Sequence, residues 1–167
     1  AASRNSWIDT VVVCATPPQF TKALEDYDWN YHQQLIDVFL KIPYVATKAL
    51  LPNMKEHGFG RIINITSEVF EMSEPYSSAY VAGKGAQIGW TRSMATELAP
   101  FGITVNHVAP GFIPVERHKD LPQEVLDGYL ATVPAGRWGT PADVGAACVF
   151  FASSEASFIS GQTLLVN

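Results

Sequence analysis

Tyr80 and Lys84 stand four residues apart in the run Ser77-Ser-Ala-Tyr-Val-Ala-Gly-Lys84. On a helix, that spacing puts a phenol and an ammonium on one face, about one turn apart. A free tyrosine titrates near 10 and is a poor base at neutral pH. A cation within about 4–6 Å favours the phenolate. A shift of about 3 units, roughly 4 kcal/mol, would poise the phenol for proton exchange with an alcohol or carbonyl oxygen. The pair alone is weak evidence. Six tyrosines and six lysines among 167 residues produce some Tyr-x-x-x-Lys about one time in five. Taken alone, a tyrosine packed beside a solvated lysine explains it better.

The elements around the pair strengthen it. The pattern predicts one helix over residues 77–99, with Ser77 and Ser78 as N-cap candidates and Pro100 and Gly102 closing the far end. Residues 8–14, 61–66, 103–109 and 162–166 are short apolar, β-branched runs and read as strands. The first is expected to be buried on both faces, in the manner of a parallel sheet. Residues 29–57 read as a long helix, with Leu35, Val38, Phe39, Ile42 and Val45 at helical spacing. Pro43 and Pro52 should kink or interrupt it, and Gly58 and Gly60 stop it. A small helix is expected near 122–130, and another over 141–152 with Thr140 as its cap.

The order β-α-β-α-β-α-β implies a parallel sheet with right-handed crossovers and helices on both faces, a Rossmann-like α/β fold. Ligands of such sheets sit beyond the carboxyl ends of the strands. Ser67 follows the second strand, Pro110-Gly111 the third, and Ala15-Thr16 the first. Tyr80 lies early in its helix, near the same rim. That convergence favours a catalytic reading of the tyrosine–lysine pair.

Composition bounds the rest. One domain over residues 1–167 is expected. Apolar residues make up 47% and charged residues 16%, which fits a well-buried α/β domain and not disorder. A net charge of −5 argues against nucleic acid and leaves no basic patch for a membrane surface. The longest apolar run, residues 146–152, is too short to span a bilayer. Cys14 and Cys148 are far apart, without C-x-x-C spacing, and are expected to be buried thiols of a cytoplasmic protein. The four histidines have no metal-ligand spacing, so no metal site is expected.

The chain resembles the short-chain dehydrogenases/reductases. The motifs that carry the resemblance occur in the family's order: Arg61-Ile-Ile-Asn-Ile-Thr-Ser67, Tyr80 with Lys84, Glu97-Leu-Ala-Pro-Phe-Gly-Ile-Thr-Val-Asn106, Ala109-Pro-Gly-Phe-Ile113, Gly136-Arg-Trp-Gly-Thr-Pro141 and Ser160-Gly-Gln-Thr-Leu-Leu-Val166. The resemblance implies an NAD(P)-dependent oxidoreductase that interconverts an alcohol and a ketone, with 3-oxoacyl and sugar/polyol compounds as candidate substrate types. It implies that Ser67 hydrogen-bonds the substrate oxygen, Tyr80 exchanges a proton with it, and Lys84 supports the phenolate and holds the nicotinamide ribose. Pro110, Gly111 and Ile113 would line the nicotinamide, and Ala15 would approach the cofactor. The resemblance also implies a homodimer or homotetramer formed through the two long helices. A loop containing Glu116, Arg117 and His118 would cover the substrate.

Three departures bear on these expectations. The glycine-rich turn that holds the dinucleotide pyrophosphate in the family has no counterpart here. The chain therefore reads as the C-terminal two-thirds of such a domain, about four strands. Val13-Cys14-Ala15-Thr16 stands where the family usually has Asn-Asn-Ala-Gly. Phe39, in Asp37-Val-Phe-Leu40, takes the place of an asparagine that anchors a water in the family's proton relay. These changes motivate the alternative expectation, a non-catalytic remnant acting as a dimerising or binding scaffold.

Overall fold

The computed structural model describes residues 7–72 and 74–167. Four strands, β1 (Thr10–Val13), β2 (Gly60–Ile65), β3 (Ile103–Pro110) and β4 (Thr163–Val166), form one parallel sheet in the order β1-β2-β3-β4. The helices are α1 (Trp29–Ile36), α2 (Ile42–His57), α3 (Val69–Met72), α4 (Ser78–Leu98), α5 (Gln123–Leu130) and α6 (Pro141–Ala152). This is the expected Rossmann-like α/β architecture.

Alternation along the central strands feeds two apolar layers. Ile62, Ile103 and Val105 pack with Met54 of α2 and with Ala95 and Leu98 of α4. Ile63 and Val108 point the other way, onto Ala147 and Phe151 of α6. Both faces of the sheet are thus covered, as parallel strands require. Trp90 and Met94 of α4 lie partly buried against the first layer.

The ends of the elements follow their local chemistry. Thr140 accepts from the Asp143 amide, and the Asp143 carboxylate accepts from the Thr140 amide at 2.8 Å, a capping box with Pro141 in the first turn. Arg137 clamps the same carboxylate through two nitrogens at 3.0 and 3.1 Å. Ser77 does precede α4, but its side chain makes no cap hydrogen bond.

Three expectations are corrected. The first strand is shorter than residues 8–14 and is not buried on both faces; Val12 is 43% exposed. It pairs with β2 alone among the described residues, so one edge lies open. Cys14, one residue past that ladder, is exposed, and Cys148 is half-buried, so neither thiol is fully enclosed. The long helix is not cut at its prolines. Instead, Asp37–Lys41 winds as a π turn between α1 and α2. Pro43 has no amide hydrogen to give the carbonyl four residues back, and the wider turn absorbs that missing bond. Pro52 stays inside α2.

His107 sits in the middle of β3, fully buried, with Nε2 against Thr163 Oγ1. Burial first, and the Arg92 charge second, push its pKa down to about 4. An unfolded chain binds that proton near 6.5, so acidification favours unfolding. This stability is complete above about pH 6.5 and is lost as the pH falls toward 4. Between about pH 7.5 and 5, the protein should lose about 2 kcal/mol more than a His107→Gln variant. Urea midpoints of both proteins at the two pH values check this.

Candidate active site

The carboxyl ends of β2 and β3 build the site floor. After Ile65 the chain keeps pairing with β3: the Thr66 amide donates to Val108 O at 2.8 Å, and the Glu68 amide to Pro110 O at 3.1 Å. Ser67 is pinned between these two bonds. Its Oγ accepts from the Val69 amide at 3.3 Å and so starts α3. With the oxygen accepting, the hydroxyl proton remains to be donated.

Tyr80 and Lys84 lie on α4, as the spacing predicted. The Lys84 side chain is 3% exposed. Its Nζ donates to Ile65 O at 2.8 Å, two residues before Ser67, and to Gln87 Oε1 at 3.4 Å. The ammonium also stands 3.9 Å from the centre of the Phe39 ring and 5.7 Å from that of Tyr80. Burying an ammonium is costly without such partners, and a carbonyl, an amide oxygen and two aromatic faces supply them. The solvated-lysine reading is therefore excluded.

Phe39 is the member whose role the sequence did not foresee. The π turn delivers it, fully buried, edge-to-face on Tyr80 with ring centroids 5.4 Å apart. Gly83 makes room for it, since a Cβ there would lie 2.8 Å from Phe39 Cδ2. Where the family's asparagine would anchor a water, this chain has an apolar floor and a π face beneath the lysine.

The start of α4 is held from outside as well. Tyr76 adopts a left-handed φ of 59°, uncommon for a bulky residue. Its carbonyl accepts from the Lys22 amide and the Tyr27 hydroxyl, both at 2.8 Å. These bonds fix the entry to the turn that carries Tyr80.

Pro110, the last residue of β3, forms a partly buried wall with Gly111 and Ile113 just past it. The Gly111 amide donates to Val166 O at 2.9 Å, and His118 Nδ1 lies 3.2 Å from Ile113 O. Residues 116–118 form a short turn folded back on this wall, with the His118 ring stacked on Phe112 at 4.5 Å. Ala15 is exposed, two residues past the carboxyl end of β1. Two clefts, of about 240 and 480 Å³, share Tyr129 and Asn167; neither is lined by Ser67, Tyr80 or Lys84.

Glu68, Tyr129 and Asn167 escaped the sequence reading. The Tyr129 hydroxyl donates to Glu68 Oε1, and Asn167 Nδ2 donates to Glu68 Oε2 at 3.0 Å. An acidic residue directly after an apolar strand and a site serine was the available signal. Among the described residues, no three His, Cys, Asp or Glu side chains come together to hold a metal ion. Among them, too, no helix is long and apolar enough to cross a membrane.

A family model described as enoyl-(acyl carrier protein) reductase matches residues 1–167. The chain is 43% identical over 144 residues to the 3-oxoacyl-[acyl-carrier-protein] reductase FabG of Vibrio harveyi, covering 86% of this chain and 58% of that protein. It is 38% identical over 165 residues to the FabG of Rickettsia prowazekii, covering 99% and 68%. A solved gluconate 5-dehydrogenase from Burkholderia cenocepacia J2315, in complex with NADP and tartrate, superposes with a TM-score of 0.90. That structure is 32% identical, and the match covers 98% of this chain and 65% of that one. The chain belongs to the short-chain dehydrogenase/reductase family. It spans about three-fifths of the Vibrio relative's length.

Proposed function

We propose that this chain carries the proton-transfer half of an NAD(P)-dependent oxidoreductase that interconverts an alcohol and a ketone. One observation carries the reading: the buried Lys84 ammonium lies beside Tyr80 and grips the backbone two residues before Ser67. Three groups able to act on one oxygen are thereby tied to one strand end. Ser67 donates its hydroxyl proton to the substrate oxygen. Tyr80 gives a proton to that oxygen in reduction and removes one in oxidation. Lys84 favours the phenolate by its charge.

The donor set fits the nicotinamide end of the cofactor. A phenol and an ammonium one helical turn apart suit the ribose hydroxyls, and Pro110, Gly111 and Ile113 wall the ring, with Ala15 on the facing rim. A bound nicotinamide supplies or accepts the hydride. This chain has no glycine-rich turn for the pyrophosphate, so residues outside it would hold the adenosine half. The names of the similar proteins point to 3-oxoacyl thioesters and sugar-acid ketones as first substrates, and the NADP-bound neighbour favours NADPH as the first cofactor. Tyr44 and Val45, exposed on α2, support pairing with a second copy through the long helices.

A second reading rests on Phe39: without the asparagine-held water, the chain would serve as a non-catalytic dimerising scaffold. The test is to mix the complete protein with NADPH or NADH and a panel of such ketones. Loss of reduced nicotinamide absorbance with at least one ketone is the expected outcome. No turnover with any, and no nicotinamide binding by calorimetry, would leave only the scaffold.

A further inference from the structure

Glu68 is a buried carboxylate, 7% exposed, immediately after Ser67. Both of its oxygens are taken, one by a hydroxyl from α5 and one by the amide of Asn167 just past β4. The Tyr129 oxygen also accepts from the Phe112 amide at 2.8 Å, inside the wall assigned to the nicotinamide. Three strand ends and α5 are thus joined at one point. We propose that Glu68 and Tyr129 are positioning residues: together with Asn167 they lock α5 onto the strand ends and set the 110–113 wall against the bound substrate and cofactor.

Independent features support the lock. Gly111 has no left-handed φ to explain it. Its glycine is required by space: a Cβ there would meet Tyr129 Oη at 2.7 Å, Asn167 Cβ at 2.9 Å and Glu68 Oε1 at 3.2 Å. The glycine that lines the wall is therefore also the one that lets the lock close. The Tyr129 ring is clamped parallel to Trp138, with centroids 5.8 Å apart, which fixes the hydroxyl's direction. Burial and the Glu68 hydrogen bond push the Tyr129 pKa up to about 12, so the hydroxyl stays a donor across the working pH range. A hydrogen bond to a buried carboxylate is stronger than a neutral one, and it leaves an unpaired charge when its donor is removed.

The lock bears on the 110–113 wall through Phe112 and Gly111, so its effect is expected in substrate binding and not in proton transfer. Its effect on turnover rests on the alcohol/ketone reading; its effect on α5 does not. The variants are Tyr129→Phe, which keeps the ring on Trp138, Glu68→Val, and Glu68→Gln, which can still accept from the tyrosine. They are made in the complete protein. For Tyr129→Phe and Glu68→Val, the ketone KM should rise about tenfold. The kcat and its pH profile should stay near the parent's, and Glu68→Gln should recover most of the KM. Amide exchange over residues 123–130 should quicken in the first two variants and not in the third. If kcat falls with KM unchanged, or Glu68→Gln behaves like Glu68→Val, the positioning role is overturned. If the parent turns over no ketone, the oxidoreductase reading fails, and amide exchange alone decides the lock. Unchanged exchange in Tyr129→Phe and Glu68→Val would then refute it.

Discussion

Tyr80→Phe is expected to lower turnover of the complete protein by about two to four orders of magnitude, the usual worth of a positioned general acid/base. The substitution removes the hydroxyl oxygen and keeps the ring. The ring keeps its edge-to-face contact with Phe39 at 5.4 Å and its place beside Lys84. The fold should therefore survive, and the melting curve should stay close to the parent's. Lys84→Met is a poorer probe. It would remove the donor to Ile65 O and leave that carbonyl unpaired beside Ser67, so lost activity would mix chemistry with a shifted floor. Tyr80→Phe also makes a sharper claim about pH. If the phenol is the group that titrates in the working range, the limb of the kcat/KM profile that reports it disappears from the residual activity. Unchanged kcat/KM in this variant would remove the tyrosine from the mechanism, and with it the reason for reading Ser67 and Lys84 as its helpers.

The parts of this site that sequence made legible are those set by local rules. The helix expected over 77–99 is Ser78–Leu98, and its i, i+4 spacing alone put Tyr80 beside Lys84. Thr140 and Pro141 announced α6 through capping chemistry that needs only neighbouring residues. The alternation of strands and helices gave the parallel sheet. Other features depend on contacts distant in sequence. Glu68 meets Tyr129 61 residues away and Asn167 99 residues away, and no periodicity encodes that meeting. The π turn at Asp37–Lys41 is local, but Pro43 could equally have broken the helix. What chose the wider turn is the tertiary packing of Leu35 and Phe39 against Ala79 on α4. The first strand failed for a related reason. Its β-branched run fits a buried strand, but burial is set by neighbours, and here β2 is its one ladder partner among the described residues.

Phe39 makes the second large prediction, because it joins the fold to the site. Phe39→Ala should destabilise the protein by about 3–5 kcal/mol, the range for emptying a fully buried phenylalanine site. The surrounding α1, α4 and π turn have little freedom to collapse into the space, since Gly83 already brings the α4 backbone close to the ring. A denaturant midpoint that falls while the slope stays constant is the expected signature. Phe39→Leu separates the ring's two roles. Leucine fills much of the same volume, so the packing part of its cost should stay under about 1.5 kcal/mol. It cannot offer a π face to the ammonium 3.9 Å away, an interaction worth about 2 kcal/mol when desolvated. If the ring holds Lys84 in place for Tyr80, Phe39→Leu should fold normally yet shift the pH profile of turnover, because a less firmly held cation favours the phenolate less. If the ring is filler only, the leucine variant should keep the parent's profile. Phe39→Asn, which restores the residue usual in the family, should lose stability as the alanine variant does. Its smaller amide would leave part of the ring's volume empty and would put a polar group against Leu35 and Ala79.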